Sequence, residues 1–272
     1  MSAEEAKPPW NHSYYMWPGY LMPTSSNTVK NITHFEVRDD DVFIVTYPRS
    51  GTYWTTRVVR AIMTLNKSTM DVNHEIMNNL FFTLHWGPFH NFPDLIKLGS
   101  AIDRYNERSS PREIGLHLLP KLLPTQYHEK KPQTVYIQRN PKDVAVSCYF
   151  MHFACAILGK PNSWDHYFTE FLNGNGNGKD PRKIYHRIAH FLERPMTDEE
   201  MDVVIRVCDF KYMQDFFLSD PVAQYFIEKD EKYMRRGKVG DWKKYFTVAQ
   251  NEAFDKVYCE EMKGYEELKY DF

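Results

Sequence analysis

The sequence has few cysteines, no long apolar run and no excess of charge of either sign, and each absence excludes a class of protein. The four cysteines show no Cys-x-x-Cys spacing, which favours free, buried thiols in a reducing compartment over a disulfide framework. No apolar segment approaches the roughly 20 residues that a membrane-spanning helix needs. The formal net charge of −2 gives no global field that would attract nucleic acid or an anionic membrane.

The amino terminus also lacks the basic and apolar regions of a secretory signal peptide. Together with the cysteine usage, this predicts a cytoplasmic protein. The 272 residues are enough for one large globular domain with a real core. We therefore predict a single domain over residues 1–272, with the aromatic and proline-containing segment 1–34 packing on the remainder or walling a pocket.

A first strand-loop-helix unit is predicted over residues 39–63, "DDDVFIVTYPRSGTYWTTRVVRAIM". Its loop combines the charge of Arg49, the hydroxyls of Ser50 and Thr52, and Gly51, which lets a ligand approach the backbone closely. Backbone N–H groups at the start of a helix attract anions. The spacing is not that of GxxxxGK[ST], which disfavours an ordinary P-loop ATPase or GTPase. The loop predicts a local anion site, although a plain strand-to-helix turn would give a similar pattern.

A second such unit covers "QTVYIQRNPKDVAVSCYFMHFACAIL" (133–158). Asn140 is suited to cap the helix, and Pro141 to its first position. Arg139 at the end of the strand and Ser147 in the helix could hold a second phosphate. Two strand-loop-helix units indicate an α/β fold with a parallel sheet. A third anion-suited stretch, "RRGKVGDWKK" (235–244), has five Lys or Arg residues against one Asp.

In order and spacing, "YPRSGTYW", "RNPKDVAVS" and "RRGKVGDWKKYFTVAQNEAFDKVY" resemble the three signature segments of the cytosolic sulfotransferases. The resemblance runs from about residue 35 to the C-terminus. It implies an α/β domain with a four- or five-stranded parallel sheet flanked by helices, in which a P-loop-like strand-loop-helix binds phosphosulfate. The implied reaction moves the sulfuryl group of 3′-phosphoadenosine 5′-phosphosulfate (PAPS) to a hydroxyl or amine of a small apolar acceptor. The implied product is adenosine 3′,5′-bisphosphate (PAP), and no metal is required.

The resemblance assigns roles only where residues match the family's motifs. Residues 49–54 correspond to the loop for the 5′-phosphosulfate, with Trp54 placed to stack on adenine. The second segment supplies the pair of residues that binds the 3′-phosphate, and the third segment closes over that phosphate. The segment "CDFKYM" supplies a second aromatic ring that faces adenine. The implied nucleotide-binding residues are Arg49, Ser50, Gly51, Thr52, Tyr53, Trp54, Arg139, Ser147, Cys208, Phe210, Met213, Arg235, Arg236 and Gly237.

His117, in "GLHLLP", is the candidate catalytic residue because it aligns with the family's base in "KTHLP". A histidine can remove a proton near neutral pH, and general base catalysis contributes roughly 10²–10⁴-fold. Without the resemblance, a lone histidine here would be read as a partly buried structural residue. His85 and His90 lack a third ligand at a recognisable spacing, so no metal site is predicted.

Three departures from the family's pattern stand out. Gly115 and Leu116 replace the usual Lys and Thr before the base, and Arg49 replaces the usual Lys of the donor loop. The interval "NGNGNG" (173–178) is short where the family has a few tens of further residues, including a strand ending in Tyr-Glu-Asp. The sequence leaves open whether a segment is missing or the sheet is reorganised. These departures favour, as an alternative, a nucleotide-binding homologue with weak or no catalysis.

Two other activities are weighed against sulfate transfer. A PAPS-dependent dehydratase, in which sulfation is followed by elimination, would differ in its product. A nucleic-acid-binding module would need basic residues interleaved with stacking aromatics on one face, and the net charge argues against it.

The predicted partners are a small acceptor and a second copy of the chain. The acceptor class is a phenol, alcohol, sterol or amine, walled by the amino-terminal aromatics and by "FFTLHWGPFHNF" (81–92), since aromatic surfaces suit ring-bearing ligands. Residues 243–252 show the spacing of the family's KxxxTVxxxE dimer segment, with Lys243, Thr247, Val248 and Glu252. Neither a nucleic acid nor a membrane is predicted as a partner.

Overall fold

The computed structural model describes residues 31–65, 100–155, 160–172, 188, 191–219, 227–228, 231 and 233–265, and the backbone of two short strands nearer the amino terminus. The helices and strands, in chain order, are β1 (Tyr15–Trp17), β2 (Tyr20–Met22), β3 (Val42–Thr46), α1 (Thr52–Met63), α2 (Ala101–Glu107), β4 (Glu113–Leu116), α3 (Thr125–Lys130), β5 (Gln133–Ile137), α4 (Pro141–Ala154), α5 (Trp164–Phe171), α6 (Asp198–Val207), α7 (Phe210–Ser219) and α8 (Val248–Glu261). The predicted pocket segment 81–92 and the interval 173–178 lie outside the described residues, as do the side chains of residues 1–30.

The main sheet has the order β4-β3-β5, and both pairings are parallel. The last registered pairs are Val45 with Leu116 and Thr46 with Ile137. Parallel strands end at the same edge of a sheet, so the residues that follow them meet there. The predicted α/β fold with a parallel sheet is confirmed, and the described residues contain three of the expected four or five strands.

Helices α1 and α6 bury their apolar sides against one face of this sheet. Val42 and Ile44 of β3 pack with Val58, Val59 and Ile62 of α1, and Met201, Val204 and Val207 of α6 join the same cluster. Burial of each such aliphatic side chain stabilises the fold by about 1.5–3 kcal/mol. Because side chains alternate along a strand, Phe43 faces the other way, and its ring lies 4.9 Å from that of Tyr127 in α3.

Helices α4, α5 and α8 form a second apolar cluster. Its buried members are Val144, Ala145, Cys148, Tyr167, Phe168, Phe171, Phe254 and Tyr258. The start of α4 is fixed as the sequence predicts, because the Asn140 side chain accepts hydrogen bonds from the N–H groups of Lys142 and Asp143. This cap holds Arg139 at the end of β5.

The cysteines of this chain form no disulfide bond. All four cysteines are free, and Cys148, Cys155 and Cys208 are buried, but the expectation of buried thiols was wrong for Cys259, which is exposed on α8. None of the helices formed by the described residues combines the length and apolarity needed to cross a bilayer. Within the same ranges, no three His, Cys, Asp or Glu residues cluster closely enough to hold a metal ion.

Candidate active site

The loop between β3 and α1 presents hydrogen-bond donors at the carboxyl edge of the sheet. Arg49 and Gly51 both adopt positive φ, 65° and 110°, and Gly51 precedes the first residue of α1 without a side-chain cap. The N–H groups of the first helical turn, which contains Thr52, Tyr53 and Trp54, have no carbonyl partner within the helix. Ser50 is only 5% exposed, and its hydroxyl finds no hydrogen-bond partner among the described residues. Since an unsatisfied buried hydroxyl is costly, the loop fits a bound anion.

Arg49 connects this loop to helix α4 and to Tyr233, which lies just before the third predicted stretch, 235–244. Its Nε donates to the Ser147 hydroxyl at 3.2 Å, and its Nη2 donates to the Tyr233 carbonyl at 2.7 Å. Its guanidinium carbon also lies 4.3 Å from the centre of the Tyr233 ring. In return, Arg139 Nη1 donates to the Arg49 carbonyl at 2.8 Å. The replacement of lysine by arginine therefore produces a side chain that bridges loops, which a single ammonium would do less well.

Positive charge is concentrated where these loops meet. Burial lowers the pKa of Arg139, the charges of Arg49 and Arg235 lower it further, and the carboxylate of Asp143 opposes them. Three guanidinium groups thus lie close enough to influence one another in a chain whose net charge is −2. This is a local anion-attracting region of the kind that the sequence predicts.

The third loop is held in place by two aspartates. The Asp143 carboxylate accepts from the N–H groups of Gly240 at 2.7 Å and Trp242 at 3.0 Å. Asp241 lies between them and binds Arg235 Nη2 at 2.5 Å and Arg236 Nη1 at 3.0 Å. Burial raises the pKa of Asp241, but its hydrogen bond and charge interaction with Arg235, helped by other cations, lower the pKa overall. Neither aspartate was predicted as a site residue.

The aromatic residues of the predicted adenine site lie beside the first and third loops. Trp54 Nε1 donates to the Cys208 carbonyl at 3.2 Å. Gly237 has φ 63°, and a Cβ added to it would lie 2.5 Å from Cδ2 of Phe210, so its backbone rests directly on that ring. Met213, one helical turn after Phe210, is fully buried in the interior. The structure therefore brings Trp54 to Cys208, and Gly237 to Phe210 two residues further along the chain, whereas Met213 is buried.

His117 follows β4 and lies beside the last residue of β3. Its Nδ1 is 3.0 Å from the Thr46 carbonyl oxygen and 3.1 Å from the Thr46 hydroxyl. A carbonyl oxygen only accepts, so this contact assigns the proton to Nδ1 and makes Nε2 the ring nitrogen that carries the lone pair. Burial lowers the pKa of His117 to about 4, the hydrogen bond to Thr46 opposes this, and the charge of Arg49 adds to it. The imidazole is therefore neutral at pH 7 and able to accept a proton.

The family of the chain is decided by comparison with known sequences. A sequence model of the sulfotransferase domain matches residues 39–179 and 178–266. The chain belongs to the sulfotransferase family. Sulfotransferase 1B1 of the dog, Canis lupus familiaris, is 31% identical over 282 aligned residues, which cover 90% of this chain and 92% of that protein.

Solved structures share the fold of this sulfotransferase. Mouse sulfotransferase SULT7A1, complexed with PAP, superposes with a TM-score of 0.68 at 23% identity, covering 92% of this chain and 94% of that one. Retinol dehydratase, in a complex with retinol and PAP, gives a TM-score of 0.74 at 19% identity, covering 93% and 90%. The family, the fold class and the prediction of a PAPS-dependent sulfotransferase are confirmed.

The comparison also locates the short interval noted in the sequence. The family match divides into two segments that meet at residues 178–179. The alignment with the dog protein has 282 positions, more than the 272 residues of this chain, so that relative has residues with no counterpart here. The interval "NGNGNG" ends at the same point.

Proposed function

We propose that this sulfotransferase moves the sulfuryl group of PAPS to a hydroxyl or amine of a small apolar acceptor, with His117 as the general base. The observation that carries the proposal is the position of His117, a neutral imidazole beside the β3–α1 loop. The same loop holds the buried Ser50 hydroxyl and is connected by Arg49 to Ser147 and Tyr233.

The residues present fit a donor with two separate anionic groups and an aromatic base. Residues 49–54 are proposed to hold the 5′-phosphosulfate through backbone N–H groups and hydroxyls. Arg139, Ser147, Arg235, Arg236 and Gly237 are proposed to bind the 3′-phosphate, and Trp54 and Phe210 to face adenine beside Cys208 and Met213. PAPS supplies a sulfuryl group that is already activated by its bond to phosphate.

In the proposed reaction the chain orients its substrates and accepts one proton. The acceptor's proton goes to Nε2 of His117 as the acceptor atom bonds to sulfur. The bond from sulfur to the 5′-phosphate breaks, and its electron pair remains on a phosphate oxygen. As in phosphoryl transfer, most of the acceleration is expected from alignment and from positive groups that offset the developing charge.

Calorimetric titration with PAP tests the nucleotide site. We expect Arg139→Ala to weaken PAP binding by about 1.5–3 kcal/mol, the range for a hydrogen bond to a charged group. Arg194→Ala removes an exposed arginine of the loop before α6 and serves as the matched control, with PAP affinity close to that of the unmodified chain. Equal affinities for all three proteins would contradict the assignment of Arg139.

Transfer itself is tested with radiolabelled PAPS and a panel of phenols, alcohols, sterols and amines. A labelled product that disappears in His117→Ala, while PAP binding persists, supports the base. Detection of an alkene rather than a sulfate ester would identify a dehydratase. The predicted acceptor-walling segments lie outside the described residues, so the panel is chosen by chemical class alone.

A second candidate is a nucleotide-binding sulfotransferase homologue without turnover. Two observations favour it: the interrupted family match at residues 178–179, and Gly115, whose N–H donates to the Tyr105 hydroxyl at 3.2 Å where the family has a lysine. PAP binding together with no transfer to any member of the acceptor panel would select this candidate.

We also infer a homodimer through residues 243–252. Thr247 caps α8, and the neighbouring Val248 is 77% exposed, so its apolar side chain is accessible to a second copy of the chain. Sedimentation at micromolar concentration should show a dimer that Val248→Asp dissociates. Val239→Asp, at another exposed valine, is the control. A monomer in the unmodified protein would exclude this interface.

A cytoplasmic location is part of the same proposal. Four free cysteines, three of them buried, are typical of proteins in a reducing compartment. Fractionation of cells expressing the full chain checks this location.

A further inference from the structure

We propose that Thr46 is a positioning residue that couples the general base to the donor loop through a pair of threonine hydroxyls. The inference rests on the proposed function, because it assumes that His117 is the base and that Thr52 contacts the donor. It adds a residue to which the sequence motifs give no role. The chain of contacts runs from His117 through Thr46 to Thr52.

The register of the sheet determines the first contact. Val45 pairs with Leu116, so the next residues along these parallel strands, Thr46 and His117, are neighbours at the sheet edge. The Thr46 hydroxyl lies 3.1 Å from Nδ1 of His117, and Thr46 is only 3% exposed. Water therefore does not compete for this hydroxyl, and a buried hydrogen bond is stronger for that reason.

The second contact connects the same hydroxyl to the donor loop. Thr46 Oγ1 lies 2.5 Å from the hydroxyl of Thr52, the first residue of α1. One buried oxygen thus contacts both the imidazole and the start of the anion-binding helix. Thr46 is the last residue of β3 and Thr52 the first of α1, so two rigid elements fix the distance between them.

The direction of these hydrogen bonds follows from the tautomer of His117. Because Nδ1 carries the proton, it can donate to the Thr46 hydroxyl as well as to the Thr46 carbonyl. The Thr46 hydroxyl then donates a hydrogen bond to the hydroxyl oxygen of Thr52. Having accepted that bond, Thr52 keeps its proton for a further acceptor, such as an anion in the loop.

This direction predicts that proton uptake and donor binding influence each other. When Nε2 takes the acceptor's proton, Nδ1–H becomes a cationic and stronger donor, which polarises both hydroxyls toward the loop. The Thr52 hydroxyl then donates more strongly as negative charge develops on the 5′-phosphate oxygen. The coupling acts in the transition state, so it is expected to raise kcat rather than tighten ground-state binding.

Substitutions at Thr46 test the proposal with a matched control. Thr46→Val keeps the shape of the side chain but removes the hydroxyl, and we expect kcat with radiolabelled PAPS to fall about tenfold or more while the Kd for PAP stays within about threefold. Thr46→Ser should recover most of the rate. Thr55→Val makes the same change at a buried α1 threonine whose hydroxyl has no hydrogen-bond partner among the described residues, and it should leave kcat unchanged.

A double-mutant cycle with His117→Asn separates coupling from damage to the fold. The Thr46→Val effect on kcat should largely vanish in the His117→Asn background, since the base is then absent. An effect of equal size in both backgrounds, or an unchanged kcat in Thr46→Val, would overturn the proposal. A Thr46→Val protein that merely loses thermal stability, with an additive loss of rate, would show a structural role instead.

An NMR readout does not depend on turnover. With ¹⁵N-labelled histidine, we expect the Nδ1–H tautomer of His117 in the unmodified protein and a shift of its Nδ1 signal when PAP is added. In Thr46→Val the tautomer should persist, because the carbonyl contact remains, while the PAP-induced shift should fall by at least about half. An equal shift in both proteins would overturn the coupling, whereas absence of PAP binding to the unmodified protein would instead refute the proposed function.

Discussion

Removal of the Asp143 carboxylate should displace the third loop and weaken nucleotide binding. Asp143 is 2% exposed and accepts two backbone hydrogen bonds, from Gly240 at 2.7 Å and Trp242 at 3.0 Å. These two hydrogen bonds hold residues 240–242 against α4. Because Asp241 binds Arg235 and Arg236, they also fix the position of those two arginines. Asp143→Ala removes both acceptors, and Asp143→Asn offers one carbonyl oxygen in place of two carboxylate oxygens.

The expected loss in the free energy of unfolding follows from the charge of the Asp143 carboxylate, which accepts both hydrogen bonds. Each hydrogen bond to a charged group contributes about 1.5–3 kcal/mol, and the released N–H groups recover part of this by hydration when the loop moves. We therefore expect Asp143→Ala to lower the free energy of unfolding by about 2–4 kcal/mol and Asp143→Asn by about half as much. The Kd for PAP should rise at least about tenfold in Asp143→Ala, because Arg235 and Arg236 lose their fixed position.

Urea unfolding and PAP calorimetry on the same preparations measure both effects. Asp198→Ala is the control, since Asp198 is an exposed acid in the first turn of α6. It should cost less than about 1 kcal/mol, the range of a helix-dipole contribution. Tighter PAP binding in Asp143→Asn would refute the reasoning, because it would show that the carboxylate's charge beside Arg139 matters more than the placement of the loop.

Three further predictions follow from single residues. Because the pKa of His117 is lowered to about 4, the unfolded chain binds a proton at this residue below about pH 6.5 while the folded chain does not, and up to about 3 kcal/mol of stability is lost as the pH falls from 6.5 toward 4. Urea unfolding at pH 7 and pH 4.5 should show a smaller loss of stability for His117→Gln than for the unmodified protein. An equal loss in the two proteins would contradict the lowered pKa. Gly237→Ala should weaken PAP binding, because the φ of 63° at this residue disfavours a side chain and the added Cβ would overlap the Phe210 ring. Gly264→Ala controls for backbone strain, since Gly264 has φ 83° but a Cβ added there would meet no atom within 4 Å. Equal PAP affinities for the two variants would show that the overlap with Phe210 is unimportant. Lys142→Met should lower the free energy of unfolding by about 2–4 kcal/mol, because the fully buried ammonium of Lys142 binds Asp255 and Asn251 and so joins α4 to α8. Lys263→Met breaks an exposed ion pair with Glu260 and should change the free energy of unfolding by less than about 1 kcal/mol. Similar losses of stability in the two variants would contradict the role given to burial.

The sequence alone was sufficient for the local units and for the family. A β-rich apolar run predicted β3, Asn140 predicted the start of α4, and the order of three loop motifs predicted the sulfotransferase fold. These features depend on neighbouring residues, because side-chain periodicity and capping are short-range properties. The sequence also located the short interval near residue 178, at which the family match divides.

Tertiary structure alone decided which side chains meet across those units. Arg49 contacts Ser147 and Tyr233, which lie 98 and 184 residues away along the chain, and Thr46 contacts His117 only because of the register between β3 and β4. The pKa of His117 likewise depends on burial by distant segments. No short-range pattern carries these contacts, because they arise where the carboxyl ends of parallel strands converge. The motifs therefore identified the loops, whereas the packing of the sheet determined how the proposed base His117, the β3–α1 loop and the arginines are connected.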